Sequence, residues 1–242
     1  MGVSIISVSP LHVFAAPPII TDDPGTPGPG NWEINVGVTI DNRSEETRYE
    51  TPALDLNYGI GEHIQLNYSV SWIVLDNKGN GTKKGLSSSE IALKWRFLDQ
   101  DKQGIDMSVY PRLIFNNPTS SADRGLVDQE TTFRLPFQME KKVGIITLNT
   151  EIGHDFRQRG GDAWIYGLAI KYAEIKGLEA LGEIFGTADN SFKRHETVFN
   201  LGFRYDLGKD YTLLASAGRS FHSAPDQPSL LLYGGIQFRF GK

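Results

Sequence analysis

The 242-residue chain contains no cysteine, which excludes a disulfide framework and any thiolate metal site. It has no run of about 18 or more apolar residues, so no transmembrane helix is available. It has no basic excess: the formal net charge is −5, which argues against a nucleic-acid partner. Walker and dinucleotide fingerprints are missing, because the glycine-rich stretch 25–30 follows no strand and opens no helix. No cofactor is expected. Histidine is scarce, limited to His12, His63, His154, His195 and His222. His222-Ser223 with Asp226 is the one pairing that hints at a lipid hydrolase. It lies beside Pro225 and Pro228 in a loop, whereas such enzymes carry these groups on strands, so no catalytic residue is assigned. Asp22-Asp23 lacks the D-x-D-x-D-G spacing of a calcium loop and reads as turn chemistry before Pro24-Gly25. No metal site is expected.

What the chain does have is a strict alternation of unequal loops. Short polar turns sit at 60–63, 98–105, 140–144, 173–177 and 206–210. Longer polar loops fall between them, at 41–50, 75–88, 116–129, 155–163, 187–196 and 221–229. The intervening stretches alternate apolar and polar residues. Short turns on one rim and long loops on the other are the pattern of an outer-membrane β-barrel. The expectation is all-β: a transmembrane antiparallel up-and-down barrel of about twelve strands, forming one domain over 32–242.

The predicted strands are 32–40, 51–59, 64–74, 89–97, 107–115, 131–139, 145–154, 164–172, 178–185, 197–205, 211–218 and 230–240. The third is clearest, with Ile64, Leu66, Tyr68, Val70 and Trp72 alternating with Gln65, Asn67, Ser69 and Ser71. The ninth is the least distinct, because its two faces are similar in polarity. Soluble strands average about 5–6 residues and tilted membrane strands about 9–11; these match the second. The apolar-face aromatics also gather at strand ends. Trp32, Tyr58, Trp95, Phe97, Tyr172, Tyr205, Tyr211 and Phe240 fall near one rim, and Trp72, Phe115, Phe133 and Trp164 near the other. Two belts at headgroup level suit amphipathic rings. A final strand ending on Phe240 also looks like the signal read by the outer-membrane assembly machinery. Outer-membrane lipids, lipopolysaccharide and small-molecule solutes complete the expected partners.

Residues 1–15 read as a signal peptide, an apolar stretch ending in Val13-Phe14-Ala15-Ala16 with cleavage after Ala15; the usual positive n-region is missing. Residues 16–31 form a proline- and glycine-rich segment that excludes helix or strand interior.

The barrel reading sends the polar face of each strand to the lumen. Lumen-lining candidates are Asp55, Asn57, Asn67, Lys94, Arg96, Arg112, Arg134, Glu151, Lys171, Glu179, Glu183 and Arg204. A hairpin centred on 140–144 places Arg134 opposite Glu151, and one centred on 173–177 places Lys171 opposite Glu179. Opposite charges facing across strands stabilise a pair by about 0.2–1 kcal/mol. Such pairs read either as a charged constriction or as salt bridges filling a closed lumen. About eight strands leave a filled interior and about 16–18 an aqueous channel, so about twelve lies between.

Two stretches resemble a known family. They are Pro18-Ile19-Ile20-Thr21-Asp22-Asp23-Pro24 with Gly28-Pro29-Gly30-Asn31-Trp32-Glu33-Ile34-Asn35, and Glu50-Thr51-Pro52 with Leu54-Asp55-Leu56-Asn57-Tyr58-Gly59. They resemble the first two strands and lead-in of the MetA-pathway of phenol degradation family. The resemblance implies an outer-membrane barrel that takes up small, often aromatic or apolar, compounds. Larger hydrophobic-compound transporters tuck their N-terminal segment into the lumen as a hatch. Residues 17–30 precede a strand that starts at the short-turn rim, so they are positioned likewise, with Thr21, Asp22 and Asp23 as hatch candidates. The expected function is passive uptake of such compounds. The alternatives are a closed barrel acting through its long loops and, further off, an outer-membrane lipid hydrolase.

Overall fold

A computed structural model describes residues 17–79, 81–116, 121–222 and 226–241. The signal-peptide expectation, Ala16, Ser223 and Pro225 lie outside them. The described chain is almost entirely antiparallel sheet. Its fourteen ladder segments make twelve strands, because two strands are each interrupted once. They are β1 (Trp32–Asn42), β2 (Glu46–Ile60), β3 (Ile64–Asn77), β4 (Gly81–Leu86 and Ser89–Leu98) and β5 (Asp106–Val109 and Arg112–Phe115). β6 (Thr132–Val143), β7 (Ile146–Arg157), β8 (Ala163–Tyr172) and β9 (Leu178–Asp189) follow. β10 (His195–Asp206), β11 (Tyr211–Ser220) and β12 (Leu230–Phe240) complete the set. Each strand pairs with the next, and β12 pairs with β1 from Trp32↔Phe240 to Asn42↔Leu230. The ladder therefore closes and leaves no edge.

The burial pattern is inverted relative to a soluble protein. Asn35, Asp55, Asn67, Ser69, Gln138 and Asn149 are buried, whereas Leu66, Ile91, Trp95, Ile152, Leu168 and Leu201 are exposed. An apolar outer band around a polar interior is stable only where the outside is lipid. Aromatic pairs mark both strand ends on that band. Trp32 contacts Tyr58 and Phe240 near the short-turn rim. Phe133 and Phe156 stack near the other, where Trp164 meets His154 edge-on. No described helix is long and apolar enough to cross a membrane.

Two predicted long loops are largely strand. β2 already begins at Glu46, within the expected loop 41–50. The expected loop 75–88 carries the end of β3 paired with Gly81–Leu86 of β4, from Trp72↔Leu86 to Asn77↔Gly81. These extensions stand beyond the apolar band and carry polar residues on both faces. The alternation signal vanishes there, but the backbone ladder does not depend on it. The loop before β6 instead folds back. Its Leu126 and Val127 bury against inward-facing Ile73 and Leu75 of β3.

Both predicted charge registers are corrected. Arg134 faces Asp155, not Glu151, which faces Gln138. The ladder runs on to Val143↔Ile146, so the hairpin turns in two residues, with Gly144 at φ +64°. Lys171 faces Leu181, not Glu179. There the reversal is the Ile175–Leu178 turn, closed by Leu178 N–H on Ile175 O and with Gly177 at φ +77°, and it sits later than the centre of 173–177. Glu179 instead faces Arg204 across β9 and β10.

Candidate functional site

The segment from Pro17 to Asn31 lies against inward-facing side chains of β4, β5 and β7–β12. Its prolines lack N–H groups and cannot join the ladder, so the remaining backbone groups need side-chain partners. Glu183 of β9 accepts from Ile20 N–H at 2.8 Å and Thr21 N–H at 2.7 Å. Glu151 of β7 accepts from Asp22 N–H at 3.0 Å. Asn149 donates to Asp22 O at 2.9 Å and Ser216 of β11 to Pro18 O at 2.5 Å. Arg204 of β10 donates to Pro17 O at 3.1 Å. Gly30 N–H and Gly59 N–H bond to Gly59 O and Asn31 O, tying the other end to β2 at the short-turn rim.

The side chains divide by chemistry. Ile19 packs on Ala169 and Leu181, and Ile20 on Ile165, Phe185, Val198 and Leu231. Asp22 is clamped between Lys94 Nζ at 3.0 Å and Arg112 Nη2 at 2.8 Å, with all three side chains almost fully buried. Arg112 also meets Glu90 at 3.5 Å. The ring of Tyr110 lies under both cations, 4.6 Å from Lys94 Nζ and 4.2 Å from the Arg112 guanidinium carbon. Asp23 binds Lys171, which also holds Glu140, each at 2.7 Å. Burial pushes the Asp23 carboxyl up, but Lys171, Lys94 and Arg204 outweigh it and hold the group well below the usual carboxylate range.

Two glycines let the segment approach the wall. A Cβ on Gly59 would stand 1.8 Å from Gly28 O, and one on Gly167 would stand 2.5 Å from Thr21 Oγ1. The Thr21 hydroxyl, fully buried there, finds no hydrogen-bond partner among the described residues.

The opposite wall, β12 and β1–β3, carries a neutral amide network around the Asp55 carboxylate. Asp55 accepts from Asn35 at 2.8 Å, Asn57 at 2.9 Å and Asn67 at 2.5 Å. Gln65 and Gln237 extend the network. Between this wall and the segment lies a polar cavity of about 510 Å³, bordered by Asp22, Lys94, Asp55, Arg204 and Arg239.

Of the lumen candidates, Lys94, Arg112, Glu151, Lys171, Glu183 and Arg204 meet the segment. Asp55, Asn57 and Asn67 form the amide wall. Glu179 pairs with Arg204 at 3.6 Å. Arg134 pairs with Asp155 at 2.6 Å. Arg96 lies at the short-turn rim, 3.7 Å from both Asp99 and Asp106. The apolar lumen residues Ile165, Ala169, Leu181, Phe185, Val198 and Leu231 were not among the candidates. Their one signal was the ninth strand, whose two faces are alike in polarity because Leu181 and Phe185 point inward. His222 sits 5.8 Å, ring to ring, from His195; its neighbour Ser223 is outside the described residues. Among the described residues no group of three or more His, Asp or Glu is arranged to hold a metal.

The barrel fold is shared with solved proteins. The crystal structure of the COG4313 outer membrane channel from Pseudomonas putida F1 aligns with a TM-score of 0.72 at 10% identity, covering 94% of this chain and 100% of that one. The fold is that of an outer-membrane channel. The NanC porin aligns at 0.59 and 9% identity over 85% of this chain and 98% of its own. The KdgM porin aligns at 0.58 and 10% identity, with 85% and 99% covered. All three are channels or porins rather than enzymes. No protein-family profile and no curated protein matches the sequence.

Proposed function

We propose that the chain is a non-enzymatic channel of the outer membrane for passive uptake of small, apolar or aromatic compounds, with its N-terminal segment as a hatch. The short-turn rim then faces the periplasm, and Phe240 closes the strand read by the assembly machinery. The observation that carries this reading is the apolar strip inside a polar lumen. Ile165, Phe185, Val198 and Leu231 face inward and are covered by Ile20. A barrel filled only for rigidity can use salt bridges, as it does at Arg134–Asp155. An apolar strip under a proline-rich segment offers a surface along which an apolar solute is stabilised once the segment moves. The segment's resemblance to the lead-in of the MetA-pathway of phenol degradation family points to the same solute class.

A second reading has one observation in its favour. At the long-loop rim Arg43 bridges Asp41 and Glu196 at 3.0 Å each and donates to Asp226 O, while Leu126 and Val127 cap β3. A mouth closed in this way suits a barrel that acts through its loops. Liposome swelling with solutes graded by size and polarity separates the two. The channel reading expects phenol-sized apolar solutes to enter faster than sugars of equal size. Equal, protein-independent rates for all solutes would leave the closed barrel.

A further inference from the structure

We infer that the Asp22 seat is a binding site for a small amphipathic carboxylate, and that the hatch occupies it as a built-in ligand. This inference rests on the channel reading above and names the solute class.

The residues Ile20–Asp22 present three chemical features to the wall. The first is a carboxylate, held by Lys94 and Arg112. The second is an apolar side chain, held by Ile165, Phe185, Val198 and Leu231. The third is a pair of N–H donors, from Ile20 and Thr21, held by Glu183.

Charge decides what can replace the segment. The hydrogen bonds of Lys94 run to Asp22 Oδ1, Asp23 O and Gly25 O, all within the segment. Lys94 itself is only 2% exposed. Arg112 and Arg134 stand directly opposite each other across β5 and β6, and like charges so placed repel. Asp155 answers Arg134; Asp22 and Glu90 answer Arg112. Withdrawal of the hatch therefore strips a buried ammonium of its acceptors and weakens the compensation of a paired guanidinium. A neutral solute would leave that deficit. A carboxylate replaces one anion by another, with Glu90, Glu151 and Glu183 placed as before. Tyr110, already under both cations, and Phe185 favour an aromatic body, and a hydroxyl on it would meet Glu183.

The test uses the full chain with Thr21→Cys as its sole thiol. Position 21 is fully buried under the docked hatch, and the native chain has no other cysteine. In liposomes, 3-phenylpropanoate should speed maleimide labelling of this thiol several-fold. Its amide, lacking the charge, and propanoate, lacking the ring, should not. Lys94→Gln should remove the difference between acid and amide, with heat-modifiable gel mobility reporting that the variant is folded. Equal responses to acid and amide, or none, overturn the inference, and that comparison needs no change at Lys94. Phenol flux is followed in the same liposomes. Flux without a preference for the acid defeats this inference alone. No flux, in the full chain or with 16–30 deleted, defeats the channel reading, while acid-selective labelling would still support the site.

Discussion

The two walls of the lumen are built from different materials, and the difference shows what each can do. The wall from β4 to β11, with Leu231 of β12, presents cations, carboxylates and an apolar strip, and the segment 17–31 engages the strip together with Lys94, Arg112, Glu151, Lys171, Glu183 and Arg204. The wall of β12 and β1–β3 presents amides around Asp55 and borders an open cavity. On the first wall Arg134 and Asp155 pair with each other, but Lys94 bonds to the segment and Arg112, Lys171 and Glu183 each hold part of it, so these groups act as a latch. The side-chain amides of Asn35, Asn57, Asn67 and Gln237 on the amide wall donate within it. It remains intact whether or not the hatch is docked, which suits the fixed side of a passage.

Variants can break this contrast. The largest effect is expected from Asp22→Ala. Removing one partner of a buried ion pair costs about 3–5 kcal/mol, so the hatch should undock and the open fraction in planar bilayers should rise sharply. Gly167→Val comes next. Its side chain meets Thr21 at the close approach, and overpacking of this kind costs about 1–3 kcal/mol. Gated openings should become more frequent while the barrel still folds. Asn57→Ala, on the amide wall, removes one of three donors to Asp55 and an acceptor for Gln65 and Asn67, a loss of about 1.5–3 kcal/mol. Thermal unfolding should fall with gating unchanged; a gating change as large as that of Asp22→Ala would erase the distinction between the walls. The smallest effect is Thr21→Val. It replaces a buried hydroxyl that has no described partner, so docking should tighten by up to about 1 kcal/mol and openings should become rarer.

Much of the barrel was legible because lipid and lumen impose opposite polarity on alternate residues. Ile64–Val74 shows this at its simplest, with Leu66 and Trp72 exposed and Gln65, Asn67 and Ser69 buried. The same rule fails on β9. Leu181 and Phe185 point inward because Ile19 and Ile20 cover them, and no local pattern can announce a partner more than 150 residues away. Registers were misplaced for a related reason. Turn position at Gly144 and Gly177 depends on backbone conformation, and β6 and β7 continue past the last alternating residues. The cations of the latch could be read as lumen residues. Which of them meets Asp22 followed only from the closed ring, which brings Lys94 of β4 and Arg112 of β5 to one carboxylate.

Single-channel conductance of the full chain and of a chain lacking 16–30, both in planar bilayers, tests the hatch most directly. The deletion should give a stably folded barrel with several-fold larger and longer openings. Equal conductance from two equally folded proteins would contradict the hatch.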